Sequence, residues 1–496
     1  MNKKNAEKIN IKIENFGPVK KADFDLKPLT IFTGPNNSGK SYSAILIHAL
    51  THYLSGTQYD VPLQVFWSNL TVSMLQKGIK NNPNNFADFY TDLSEFLKTK
   101  PTMNETFEYK KRDLETLIYE GLGEFYSEVL QQKMESLFAS DLSKLILTGE
   151  TSLYFSKNDF KFLFDKDDIK VVNFPKINFK LLEKDYHPHI KIKEKKDIIK
   201  FNINYEVLKK EDYSTTTMVS MVLFQIYNSL GTPILKQLLT KYSFYLPAAR
   251  SGIMQSFKSF MSATVMLSSA GGSSISGVIT GFAASIGDLN VKNKTDFYDV
   301  TTNFEEKLIG GKIIFVDPSA KYGLPDIFYE KGDIKIPFNL VSSSIAELSP
   351  LFLFLKHLVK KGDTLIIEEP EAHLHPGNQI LLVEFLVKLI NMGLNLIITT
   401  HSDFIIEKIN NFVLLERNIT NIKDYGYDSG DYLKREQVGL YLFKQDKETQ
   451  TYSTENVEIS EMGISENNFG PVIDALYNES HNIKQDIFNR ENPNGN

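Results

Sequence analysis

Gly34-Pro35-Asn36-Asn37-Ser38-Gly39-Lys40-Ser41 satisfies G-x-x-x-x-G-K-[ST] at every fixed position. Just before it, Leu29-Thr30-Ile31-Phe32-Thr33 is a short apolar run of the kind a buried strand presents. Farther upstream, Ile9, Ile11 and Ile13, then Ala22, Phe24 and Leu26, alternate at period two. Downstream, Ala44, Ile45, Ile47, His48 and Leu50 continue at helical spacing. The opening of the chain therefore predicts three strands, a glycine loop and a helix. Phosphate chemistry asks for these residue types. Glycines let backbone N–H groups and a helix N-terminus converge on an anion. Lys40 then reaches the β- and γ-phosphates of a nucleotide, and the Ser41 hydroxyl sits on Mg2+. The nucleotide contacts expected here are Gly34, Pro35, Asn36, Asn37, Ser38, Gly39, Lys40, Ser41 and Tyr42.

Two more strand ends carry chemistry. Leu365-Ile366-Ile367 runs into Glu368-Glu369-Pro370. Glu368, at the strand's end, is expected to help hold Mg2+, and Glu369 to polarise the attacking water or take its proton. His401 closes Ile397-Ile398-Thr399-Thr400, where a histidine can donate to the γ-phosphate and orient the water. Between these two strands Ile380, Val383, Val387 and Ile390 mark a helix. Strand, helix and strand with short connections imply parallel pairing and an α/β core.

On Ile11 to Ser41, Ser342 to Leu348, Ile366 to Pro376 and Thr399 to Ser402, the chain resembles ABC-type ATPases of the RecF, SMC and overcoming-lysogenization-defect lineage. The resemblance implies an α/β P-loop NTPase of ABC/SMC-head type with a large mixed helical and β insertion. Residues 1–56 and 241–420 are then the two parts of the ATPase core. Residues 57–240 are the insertion, and 421–496 hold C-terminal strands, a helix and a polar tail. The ligands implied are ATP and Mg2+, with Lys40, Glu369 and His401 catalytic and with Ser41 and Glu368 on the metal. Ser342, Ser343 and Ser344 stand where the family's signature loop caps the γ-phosphate on the other subunit of a head-to-tail dimer. Glu371 to His375 would form the loop at the dimer seam. Pro247-Ala248-Ala249-Arg250-Ser251 resembles a segment of the same lineage, and Arg250 reads either as a phosphate or subunit contact or as a structural ion pair.

Two departures from the family pattern stand out. Glu368 fills a position usually held by the shorter Asp, and the signature loop lacks its glycine. The second implies slow or partner-stimulated hydrolysis. Only 95 residues follow His401, and Asp424, Asp428 and Asp431 lack the spacing of a Toprim nuclease, so they read as a solvated loop. The resemblance implies a homodimer or higher oligomer that regulates a separate nuclease in anti-phage defence, as a Septu- or PARIS-like ATPase subunit. The alternatives are a RecF-like repair ATPase that binds DNA directly, and an ATP-stabilised scaffold with negligible turnover.

The remainder of the chain narrows the classes. Net charge is −6, so a globally basic nucleic-acid glove is not expected. The absence of cysteine excludes disulfide scaffolds, thiolate zinc sites and a cysteine nucleophile. No apolar run reaches 18 residues and the start has no signal-peptide character, which predicts a cytoplasmic protein without membrane spans. Leu114 to Val129 and Met218 to Leu239 show helical spacing. Residues 157–210 read mostly as strand and carry 14 Lys against 9 acidic residues, a surface that either meets DNA phosphates or is simply solvated. His187-Pro188-His189 lacks a third ligand, and Trp67 reads as core. Residues 268–287, rich in Gly, Ser and Ala, read as a flexible loop or frayed helix.

Overall fold

The computed structural model describes residues 9–55, 85–102, 105–114, 116, 134–138, 140, 151–156, 161–165, 168–173, 190–195, 197–210, 213–226, 242–269, 277–316, 324–417, 422–428, 430–465 and 479. The strands used below are β1 (Ile9–Phe16), β2 (Val19–Leu26), β3 (Leu29–Thr33), β4 (Thr106–Lys110), β5 (Thr151–Ser156), β6 (Lys161–Asp165), β7 (Asp168–Asn173), β8 (Ile190–Lys195), β9 (Ile198–Ile203), β10 (Ser243–Leu246), β11 (Lys312–Val316), β12 (Asp326–Lys331), β13 (Ile334–Pro337), β14 (Thr364–Glu368), β15 (Asn395–Thr400), β16 (Val438–Gln445) and β17 (Tyr452–Asn456).

Eleven of them form one sheet in the order β10-β14-β15-β3-β16-β17-β2-β1-β5-β6-β7. One half, β10-β14-β15-β3-β16, is parallel throughout. The other half, β2-β1-β5-β6-β7, is an antiparallel meander. The parallel strands are covered on both faces, which is why their sequences are unbroken apolar runs rather than alternating ones. Alternation survives in where the side chains go. Phe32, Ile366 and Ile397 enter one core with Ala44, Leu46, Ile47 and Leu50 of the helix Lys40–Ser55. Ile31, Leu365, Ile367, Leu396 and Ile398 enter the opposite core, with Phe352, Leu386 and Ile405 of the helices Ser343–His357, Pro376–Asn391 and Asp403–Leu414. The architecture is the expected α/β class, with a mixed sheet sandwiched between helices.

The described parts of 57–240 adjoin this core. Strands β5 to β7 extend the main sheet, while β4, β9 and β8 form a three-stranded sheet of their own. Phe107 and Phe201 of that small sheet and Phe89 and Leu93 of the helix Asn85–Lys98 share the core that covers the Lys40–Ser55 helix. The helix expected over Met218 to Leu239 is present as Thr215–Ile226, its remainder outside the described residues. Most of the span from Leu114 to Val129, and all of Trp67 and His187 to His189, also lie outside them.

One expectation fails. Residues 277–287 are neither loop nor frayed end but the helix Gly277–Gly287. Val278, Phe282, Ala283 and Ile286 make a buried stripe along it, and that burial overrides the weak propensity of its Gly and Ser residues. Strands β11 and β12 pair antiparallel, and β13 joins β12 as a third strand. No described helix is long and apolar enough to cross a membrane.

Candidate functional site

Strands β14, β15 and β3 are neighbours and parallel, with Glu368 level with Thr399 and Thr400 level with Thr33. Their carboxyl ends therefore release three loops on one edge: 34–39, 369–375 and 401–402. Ligands of open parallel sheets bind at such an edge. The glycines of the first loop are there for close approach. At Gly34, with φ +135°, a Cβ would lie 2.6 Å from the Phe443 carbonyl oxygen. At Gly39, with φ +98°, it would lie 2.4 Å from Val19 Cγ2. The β1–β2 turn thus presses on the loop. Pro35, Asn36 and Asn37 are exposed, Ser38 and Lys40 buried, Ser41 exposed. Tyr42 stands slightly apart, its ring beside Phe16 and Phe138 at centroid distances of 6.5 and 5.3 Å.

Lys40 folds over its own loop. Its Nζ donates to the carbonyls of Gly34 (3.0 Å) and Pro35 (2.6 Å). Burial brings its pKa down to about 8, against the pull of Glu369 and, more weakly, Glu371. His401 Nε2 lies 3.9 Å from Glu369 Oε1. Burial and then the charge of Lys40 lower the histidine's pKa, and Glu369 opposes them. Lys40, Glu369 and His401, predicted from three separate motifs, thus sit within electrostatic reach of one another. Glu369 holds a left-handed backbone, φ +42°, which costs a non-glycine residue about 1 to 3 kcal/mol. Its N–H is held by the Thr399 carbonyl at 2.9 Å.

Glu371 has a part here that the sequence reading missed, having placed it only on the dimer seam. Its Oε1 accepts from the Thr400 hydroxyl (2.8 Å) and the His401 N–H (2.7 Å), so this carboxylate sets the backbone that carries the histidine. Burial raises its pKa, and these hydrogen bonds oppose the rise. The available signal was the polar Thr399-Thr400 pair ending an otherwise apolar strand.

Arg250 resolves to the structural alternative. It is 2% exposed and its Nη2 lies 2.6 Å from Glu347 Oε1, so it does not face a phosphate or solvent. Ser342 precedes the helix Ser343–His357, and Ser343 and Ser344 lie in its first turn. Ser342 and Ser343 are exposed, and the Ser342 and Ser344 hydroxyls are 3.1 Å apart. This helix end leaves N–H groups and hydroxyls available to an anion.

The donors suit Mg2+, which takes hard oxygen ligands and leaves positions to water and phosphate. Glu368 is buried, and its Oε2 accepts from the Ala248 N–H at 3.1 Å. Its Oε1 is buried and faces no donor at strict hydrogen-bond geometry among the described residues, the Tyr245 hydroxyl being the side chain that interacts with this carboxylate, so a hard cation could still be taken there. Tyr245 lies close by, its hydroxyl kept protonated by burial and by the Glu368 charge. Among the described residues no cluster of three or more acidic or histidine side chains could hold a metal, and Asp424 and Asp428 are exposed.

Comparison with known proteins gives the family of the chain. The chain belongs to the AAA ATPase domain family, whose model matches residues 8–406. No protein of curated function matches it. Similar solved structures include the SmcHead bound to the C-winged helix domain of ScpA, at 11% identity over 92% of this chain and 98% of that one, TM-score 0.34. The SMC head domain from Thermotoga maritima has 10% identity over 92% and 100%, TM-score 0.30. The Smc head domain with an extended coiled coil, bound to the C-terminal domain of ScpA derived from Pyrococcus furiosus, has 10% identity over 90% and 96%, TM-score 0.30. Superposition at this level assigns no role to any residue.

Proposed function

We propose that the chain is an ABC-type ATPase that binds Mg2+–ATP at residues 34–42 and hydrolyses it as a conformational switch. The observation that carries this reading is the meeting of Lys40, Glu369 and His401 at the ends of adjacent parallel strands. In this reading Lys40 leaves the Gly34 and Pro35 carbonyls for the β- and γ-phosphates. Glu369 orients water in line and His401 donates to the γ-phosphate. Ser41 and Glu368 hold Mg2+, which supplies charge neutralisation at the phosphate oxygens. Ser342, Ser343 and Ser344 cap the nucleotide of a second copy, so that ATP joins two chains head to tail and hydrolysis loosens them.

The output we propose, on the resemblance of the motifs, is control of a separate nuclease effector in anti-phage defence inside the cell. Two variants test the enzyme. Lys40→Ala is expected to lose ATP binding in a nucleotide titration. Glu369→Gln is expected to bind ATP normally while phosphate release drops by about 100-fold or more. If the wild type releases phosphate no faster than Glu369→Gln, ATP serves only to hold a scaffold together. For the output, co-purification with a nuclease encoded beside this chain supports defence, and salt-sensitive DNA binding by the chain alone favours repair instead.

A further inference from the structure

We infer that Arg250 is a positioning residue that ties the turn carrying Glu369 to the loop carrying Ser342–Ser344, so that the catalytic and the capping parts of the ATPase move as one body. The inference rests on the ATPase reading of the site and adds a means of coupling between two sites.

Arg250 uses all three nitrogens of its guanidinium inside the protein. Nε donates to the Glu347 carbonyl at 3.1 Å. Nη1 donates to the carbonyls of Pro247 (3.0 Å) and Glu368. Nη2 donates to the Glu369 carbonyl at 3.1 Å and pairs with Glu347 Oε1. Two of these acceptors are the main chain of the residues assigned to metal and water. Glu347, itself 0% exposed, lies in the opening turns of the helix that begins at Ser343.

A buried ion pair is weak evidence for stability, because desolvating two charges offsets most of their attraction and an apolar pair packs as well. A planar fork does what an apolar pair cannot, since it fixes the direction of several carbonyls at once. The carbonyl of Glu369 needs such fixing. That residue's left-handed backbone is disfavoured on its own, and it is held through its N–H by Thr399 and through its carbonyl by Arg250.

A second contact reaches the same loop. Gln255, at the far end of the short helix Arg250–Gln255, donates from Nε2 to the Val341 carbonyl at 3.0 Å, one residue before Ser342. One six-residue helix thus grips the Glu369 turn at its first residue and the serine loop at its last. A displacement of Ser342–Ser344 by a partner's phosphate has a direct line to the Glu369 carbonyl, through Glu347 and Arg250. Each chain's water-orienting carboxylate is then set by what its serine loop holds, and turnover by the pair is cooperative.

The test uses the full chain with Gln255→Ala, which leaves no charge unpaired, and Glu347→Gln, which keeps side-chain shape but removes the charge facing Arg250. ATP affinity, steady-state kcat and KM, the ATP dependence of turnover and Tm are measured for each beside the wild type. The expected result is wild-type ATP affinity, kcat lower by about 10- to 100-fold, and loss of the wild type's cooperativity. Gln255→Ala keeps the wild-type Tm, so it decides alone if Glu347→Gln fails to fold. Wild-type kcat and cooperativity in folded variants overturn the inference, as does a parallel fall of affinity and kcat, which marks a merely structural contact. Absence of turnover in the wild type itself refutes the ATPase reading, and the inference with it.

Discussion

Gly39 is tied to its residue type twice over. Its φ of +98° lies where side chains are strained, and a Cβ there would strike Val19 Cγ2 at 2.4 Å. Gly39→Ala is therefore expected to lower stability by about 1 to 3 kcal/mol and to weaken ATP binding. Adding Val19→Ala relieves the clash but not the backbone, so the double variant recovers only part of the loss. Urea unfolding and nucleotide titration read both effects, and an alanine variant as stable as the wild type would contradict the argument. Glu369 shows the opposite choice: a side chain proposed to orient water occupies a left-handed position, and the hydrogen bonds from Arg250 and to Thr399 hold it there.

Among elements, the weakest joint of the main sheet is between β17 and β2, paired only at Tyr452–Val19 and Ser453–Lys21 with a register shift between them. Tyr441 of β16 spans this joint. Its hydroxyl accepts from the Asp25 N–H at 2.7 Å and donates to the Asp25 carbonyl at 3.0 Å, while its ring packs on Phe24. Tyr441→Phe leaves both main-chain groups without that partner and is expected to cost about 1 to 3 kcal/mol. The same contact gives a pH dependence. Burial, the largest cause, pushes the Tyr441 hydroxyl up from 10.0 to about 12. A pKa raised by folding means that the stabilisation is whole below pH 10 and is lost as pH rises through 12. The loss approaches about 2 to 3 kcal/mol, at 1.36 kcal/mol per unit. Denaturant melts between pH 9 and 12 should show the wild type falling toward Tyr441→Phe, and parallel curves would refute the assignment.

For the molecule as a whole, the sheet divides two cores and the loop edge lies where helices of both converge. A ligand at that edge touches residues from both ends of the chain, so binding and global stability are linked. Mg2+–ATP at about 100 times its Kd is expected to add about 2.7 kcal/mol to unfolding, read as a rise in Tm. Lys40→Ala should melt at a temperature indifferent to nucleotide. A variant still stabilised by ATP would place the binding site elsewhere.

Gly34 to Ser41, the apolar runs before Glu368 and His401, and the helix between them could all be read in advance, because each encodes geometry within a few residues. Glycine permits a positive φ, apolar runs suit doubly covered strands, and period 3.6 suits one helix face. Where the reading stopped, distance along the chain was the cause. Nothing near Pro247-Ala248-Ala249-Arg250 reveals that the guanidinium meets Glu347, 97 residues on, or that Tyr441 reaches Asp25 across 416. The Gly277–Gly287 helix likewise exists because its stripe found a core, and β5 to β7 joined the main sheet through pairing with β1. Local backbone preference is written residue by residue, whereas the partner of a buried charge or a strand edge is chosen only when distant segments are brought together and excluded from water.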